Sequence, residues 1–108
     1  MDDGHLTAAE RTGLLALARQ TLHQRLNDSP VSAPEAADLS GLKRERGAFV
    51  TLSLAGNLRG CIGTFRAQKP LWKIVQEMAI SAALHDPRFP PLRAAELDAI
   101  EIEISALT

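Results

Sequence analysis

The chain has one cysteine, Cys61, in 108 residues. No intramolecular disulfide can therefore form, and no multi-cysteine zinc site can be built from this chain alone. Such sparing use of cysteine fits a reducing, intracellular compartment. Tyrosine is absent, and four aromatic side chains, Phe49, Phe65, Trp72 and Phe89, are all there are. That is a poor supply for stacking single-stranded nucleic acid. A basic excess is also missing, since twelve Lys and Arg stand against thirteen Asp and Glu for a formal charge of −1. Nucleic acid and anionic lipid surfaces are thus disfavoured as partners. No apolar run approaches the length of a membrane span, and the start Met1-Asp-Asp-Gly-His5 is acidic rather than a basic leader. These absences predict a cytoplasmic protein with no membrane association.

One domain is all this length accommodates, and folding buries roughly two thirds of the unfolded surface at this size. Residues 7 to 26 read as a helix, with Leu14, Ala18, Leu22 and Leu26 at four-residue steps and a capping box in Thr7-Ala-Ala-Glu10. From 27 to 47 the pattern dissolves into a surface strap containing Pro30, Pro34 and the run Lys43-Arg44-Glu45-Arg46, with a short turn of helix near 35 to 39. Residues 48 to 65 read as a hairpin turning on Gly56-Asn57, a pairing that sets Leu54 opposite Arg59, Leu52 opposite Cys61 and Val50 opposite Gly63. Arg59 and Cys61 then share one side of the sheet. A second helix spans 70 to 84, with an apolar stripe of Leu71, Ile74, Val75, Met78, Ala79 and Ala82 and a second patch at Ile80 and Leu84. His85 to Leu92 contains Pro87, Pro90 and Pro91, so it is predicted to be a rigid loop. One helical turn at 93 to 97 follows, and then a strand over 99 to 107 in which Ile100, Ile102 and Ile104 alternate with Glu101, Glu103 and Ser105.

Four segments carry a resemblance: Phe49-Val-Thr-Leu52, Leu58-Arg-Gly-Cys-Ile-Gly-Thr64, Ala82-Ala-Leu-His-Asp-Pro-Arg-Phe-Pro-Pro-Leu92, and Glu96-Leu97 with Ile102-Glu-Ile-Ser105. In order and spacing they resemble the AMME chromosomal region family, the AMMECR-type domain, from about Gly47 to Thr108. The resemblance implies an α+β fold, helices packed on a mixed or antiparallel sheet that contains the 48–65 hairpin and the 99–107 strand. It also implies a largely uncharacterised family. Its bacterial and archaeal members are component A of a three-part set, the AmmeMemoRadiSam system, beside a Memo-like protein and a radical S-adenosylmethionine protein. The family domain is longer than 108 residues, so the resemblance implies a single domain over 1–108 that is incomplete at its C-terminal end, and the isolated chain is expected to self-associate or to be only marginally stable.

The chemistry-bearing residues fall in two of these segments. Cys61 is either a small buried hydrophobe or a thiolate nucleophile activated by Arg59 and by backbone donors from Gly60 to Gly63. Gly60 and Gly63 permit close approach of a ligand or tight packing, and Thr64 closes the motif. His85 is a candidate base, with Asp86 beside it, or the two cap a helix end. Arg88 is either an anion contact or an anchor to Glu101 or Glu103. If Cys61, His85 and Arg88 meet, they supply a nucleophile, a base and an anion clamp, enough for acyl transfer or thiol-dependent chemistry. The site expected from the sequence is thus catalytic Cys61 and His85, with Arg59, Gly60, Gly63, Thr64, Asp86 and Arg88 binding an unknown small molecule or modified macromolecule. No metal is assigned. The competing class is a non-catalytic adaptor for a Memo-like or radical S-adenosylmethionine partner.

Overall fold

The computed structural model describes residues 6–34 and 40–107. The helical turn expected at 35 to 39 lies outside them. Helix α1 (Ala8–Leu26) starts at the predicted capping box. Glu10 N–H donates to Thr7 Oγ1 at 3.0 Å, and Glu10 Oε1 accepts from Thr7 N–H at 2.9 Å. The second carboxylate oxygen accepts from Gly41 N–H at 2.9 Å, so one buried side chain caps α1 and holds the short helix α2 (Ser40–Lys43) against it. These donors, the Thr7 N–H foremost, hold the Glu10 carboxyl below the usual carboxylate range.

Strands β1 (Ala48–Leu54), β2 (Asn57–Thr64) and β3 (Ile100–Ala106) form one antiparallel sheet in the order β2-β1-β3. The protein is therefore α+β, with its helices packed on a three-stranded antiparallel sheet. One face is covered: α3 (Leu71–Leu84) packs on β1 and β2, and α1 packs on α3 and β3. Between these layers Leu14, Leu17, Leu22, Val50, Leu52, Leu71, Val75 and Ala79 are buried in a single core. Burying each of the larger aliphatic side chains contributes on the order of 1.5–3 kcal/mol. A polar pin crosses this layer, where buried Gln76 donates through Nε2 to Thr21 Oγ1 at 3.3 Å and to the Ser32 carbonyl at 2.7 Å.

The hairpin differs from the sequence reading in its turn and its register. Ala55 and Gly56 are the turn residues, both at positive φ (52° and 80°), while Asn57 already pairs with Leu54. Positive φ at both central positions is the pattern of a type I′ turn, whose twist matches that of the strands. The ladder then slips by one residue between Leu52 and Ser53, leaving Arg59 as the extra residue of a bulge. Beyond it Gly60 pairs with Leu52, Cys61 with Thr51 and Ile62 with Val50. Cys61 thus lies on the face away from the helices, not opposite Leu52 as the tight-loop pairing required. The bulge has a packing reason, because it turns Ile62 toward the core and Gly60 toward α3. A Cβ on Gly60 would lie 2.1 Å from the Ala82 carbonyl oxygen, so only glycine lets the helix approach this closely.

Candidate functional site

The loop after α3 is built onto the outer edge of β2. The His85 backbone N–H closes the helix on the Ser81 carbonyl at 2.8 Å, and the Leu92 N–H returns to the Ala83 carbonyl at 2.8 Å. Between these points the Asp86 carboxylate accepts four hydrogen bonds. Oδ1 takes the Arg88 N–H and Nε at 3.0 Å each, and Oδ2 takes Arg88 Nη2 at 2.7 Å and the Cys61 N–H at 3.0 Å. Arg88 Nη2 also donates to the Cys61 carbonyl at 3.4 Å. Together the two side chains stand in for a neighbouring strand at the Cys61 peptide, protecting an edge that would otherwise present unpaired groups. Asp86 is only 4% exposed. Its partners, the Arg88 guanidinium first, hold its carboxyl well below the usual range, and the same ion pair raises Arg88. The expected anchor of Arg88 on Glu101 or Glu103 is replaced by this pair because Asp86, two residues away, already sits at the strand edge.

Arg59 works on the other half of the loop. Its Nε and Nη2 donate to the Glu96 carboxylate at 3.1 and 3.0 Å, and Nη1 and Nη2 donate to the Pro90 and Pro91 carbonyls at 2.9 and 3.3 Å. The Pro90 and Pro91 carbonyls lie outside the strand ladders and are satisfied by this side chain from the bulge. Arg59 in turn holds the Glu96 carboxyl below its ordinary range. Glu96 lies in a 3-10 turn (Ala94–Ala99) that leads into β3, so Arg59 links β2 to the approach of a strand it does not pair with.

The thiol is half-buried on the open face of the sheet, with Sγ 3.1 Å from Thr51 Oγ1. Asp86 and Arg88 come to its peptide, whereas the exposed His85 side chain makes no hydrogen bond among the described residues. Gly63 lies beneath the Phe49 ring, where a Cβ would meet ring carbons at 2.2 and 2.3 Å. The Thr64 hydroxyl accepts the Arg66 N–H at 3.1 Å. Phe49 packs edge to face on Phe65, centroids 5.5 Å apart, and Phe65 is 81% exposed. Among the cavities, one of about 620 Å³ lies between α1 and residues 32 to 34, one of about 390 Å³ lies between α1 and β3 and reaches Thr51, and a smaller one of about 180 Å³ is lined by Thr64, Arg66 and Glu77. None of these is lined by Cys61 or by the 85–92 loop. Among the described residues no three His, Cys, Asp or Glu side chains gather as a metal-ligand group, and no helix is long and apolar enough to cross a membrane.

The sequence reading missed Glu96 as the partner of Arg59, Thr51 as the neighbour of the thiol, and the exposure of Phe65. The first two depend on pairings across 37 and 10 positions that no local pattern encodes.

A helix-backed three-stranded sheet, its L-R-G-C-I-G-T strand latched by an H-D-P-R loop, defines a class of α+β protein recognisable by both fold and motif. The AMMECR1 family model matches residues 15–108, and the chain belongs to that family. Relatives in Methanothermobacter thermautotrophicus and Methanosarcina barkeri (Mbar_A1807) are 46% and 42% identical, over 95% of this chain but 54% and 52% of their own lengths. The crystal structure of the uncharacterised protein PH0010 from Pyrococcus horikoshii superposes with a TM-score of 0.81 at 35% identity, covering 88% of this chain and 49% of that one. The chain thus spans about half the length of the curated relatives it matches.

Proposed function

We propose that this chain is an interaction module, its recognition surface the open sheet face around Cys61, Phe49 and Phe65 beside the 85–92 loop. The observation that carries this reading is how the motif's charged groups are used. Arg59, Asp86 and Arg88 bond to the strand and loop that bear them, and His85 is not joined to the thiol. A thiol enzyme needs its base and anion clamp directed at the reacting atoms. A small-molecule site is ordinarily concave, and neither large cavity is lined by Cys61, His85, Asp86 or Arg88. An exposed aromatic on a rigid sheet is instead the kind of anchor that protein interfaces use.

The resemblance to the three-part set makes a Memo-like protein the partner to try first and a radical S-adenosylmethionine protein the second. Biolayer interferometry of the chain against each purified protein tests the reading. Binding should survive Cys61→Ser within about threefold and weaken at least about tenfold in Phe65→Ser, whose site is too exposed to matter to folding. Absence of binding to both proteins overturns the partner assignment. One observation favours a thiol role, the 3.1 Å contact between Cys61 Sγ and Thr51 Oγ1. Alkylation of Cys61 followed against pH, in native buffer and in denaturant, measures it. Native labelling faster than that of the unfolded chain near neutral pH would replace the interaction reading with thiol chemistry.

A further inference from the structure

Between Ala83 and Leu92 the chain leaves the hydrophobic core and returns to it. Ala83 and Leu92 are buried core residues and Leu84 packs against the core, but no side chain from 85 to 91 belongs to that cluster. The loop is closed at its base, where the Leu92 N–H meets the Ala83 carbonyl at 2.8 Å. Within itself it is stiff. Pro87, Pro90 and Pro91 fix three φ angles, and the Phe89 N–H donates to the Asp86 carbonyl at 3.1 Å. The Asp86 carboxylate binds both the backbone N–H and the guanidinium of Arg88, and that guanidinium lies 5.3 Å from the centre of the Phe89 ring.

What fastens this stiff unit to β2 is polar. Among the described residues, Asp86 takes the Cys61 N–H and Arg88 reaches the Cys61 carbonyl, while in the other direction Arg59 donates to the Pro90 and Pro91 carbonyls. These bonds all end on Arg59 and Cys61, the residues on either side of Gly60. An element that contributes few apolar contacts opens at a lower free energy than the core does. Freeing the loop breaks these polar bonds and hydrates Asp86, and no core side chain between the base residues has to leave.

We propose that residues 85–91 form a hinged flap over β2, held shut by these polar latches and opening as one rigid unit about the Ala83–Leu92 base while the core stays folded. Closed, the flap occupies the outward N–H and carbonyl of Cys61 and the Nη1 donor of Arg59. Open, it releases all three together, in the middle of the L-R-G-C-I-G-T strand. The flap thus sets when the motif's backbone and its arginine are available to a ligand. The prolines keep the loop ordered in either position, so opening gains little chain entropy and the closed state is favoured. The proposal rests on how the loop is fastened and does not depend on the interaction reading.

Native-state amide hydrogen exchange of the 108-residue chain, followed at low urea concentrations, tests this. The Cys61 N–H points outward to Asp86, so its protection reports the flap, and the N–H of buried Ala79, within α3, reports the core. Corrected for intrinsic rates, Cys61 should exchange at least about tenfold faster than Ala79, with a much weaker dependence on urea because little surface is exposed. Arg59→Met removes the latches at the far end of the loop and leaves those of Asp86 in place. It should speed Cys61 exchange by a further factor of about ten relative to Ala79, because a rigid flap released at one end is loosened at the other. Exchange of Cys61 at the Ala79 rate, with the urea dependence of Ala79, would overturn the proposal, since the loop would then open only by global unfolding. An Arg59→Met chain in which Cys61 keeps its wild-type rate relative to Ala79 would overturn it too, since the two ends would then move independently. The wild-type comparison decides the first point even if Arg59→Met fails to fold.

Discussion

Asp86 is the residue on which the motif's geometry turns. It is a nearly buried carboxylate whose four hydrogen-bond donors come from Arg88 and from the Cys61 peptide. Its folded-state pKa is depressed, chiefly by Arg88, so protons bind the unfolded chain more readily than the native one. The stability it contributes is therefore complete above the unfolded value of about 3.9 and is lost as pH falls below it. Glu96 and Glu10 are depressed in the same direction and add to that loss. Asp86→Asn keeps the shape but removes the titrating group and its charge-assisted bonds. Urea denaturation should give it a lower midpoint than wild type at neutral pH. Its midpoint should also fall less steeply between about pH 5 and 2, with Glu96 and Glu10 supplying the remainder. Parallel curves for the two proteins would show that Asp86 is not the coupled group. The identity of this residue was legible in the sequence because the H-D-P-R segment stands out. Its role was not, since Cys61, the peptide it holds, lies 25 positions away.

Among the elements, the hairpin shows how a local rule identifies the right structure and still misplaces its contents. Gly56-Asn57 is good turn chemistry, yet the chain turns one residue earlier and pays for it with Ala55 at a φ of 52°. That conformation costs an L-residue with a Cβ roughly 1–2 kcal/mol. What outweighs it is tertiary: with the turn at 55 and 56, the bulge at Arg59 brings Gly60 beneath α3 and Ile62 toward the core. Ala55→Asn should relieve much of the strain, because Asn tolerates the left-handed region and Asn-Gly is the favoured type I′ pair. We expect a gain of about 0.5–1 kcal/mol in unfolding free energy, measured by urea denaturation, with the register unchanged. A loss of stability would mean that the turn is not the strained point of the hairpin. Where periodicity carries the signal, sequence and structure agree closely. α1 begins at its capping box, α3 ends at Leu84, and β3 buries Ile100 while exposing Glu101 and Glu103. Where a one-residue bulge sets the register, every later side chain changes face, and no pattern of period two records that the bulge is present.

At the scale of the molecule, β3 is the most weakly secured part of the sheet. It pairs with β1 alone, and α3 packs on β1 and β2. Besides the packing of Ile100, Ile102 and Ile104 against the core, β3 is tied to the helical layer by Arg19 of α1, whose Nη1 and Nη2 donate to the Leu97 and Ile100 carbonyls at 2.8 and 2.5 Å. These bonds grip the end of the 3-10 turn and the first residue of β3, holding the strand at its start. A charged donor bonded to two carbonyls contributes about 1.5–3 kcal/mol, and removing it leaves half-buried acceptors unpaired. Arg19→Met preserves the packing of the side-chain stem while deleting the donors. Its cost should fall unevenly, because opening of β3 leaves the β1–β2 hairpin and its packing on α3 intact, a sub-global rather than a global unfolding. Amide exchange should therefore speed up by about tenfold or more across β3 and the 3-10 turn while β1 and α3 keep the protection of global unfolding. A uniform rise in exchange over the whole chain would mean instead that the sheet opens as one unit, with Arg19 only one of many contacts holding it closed.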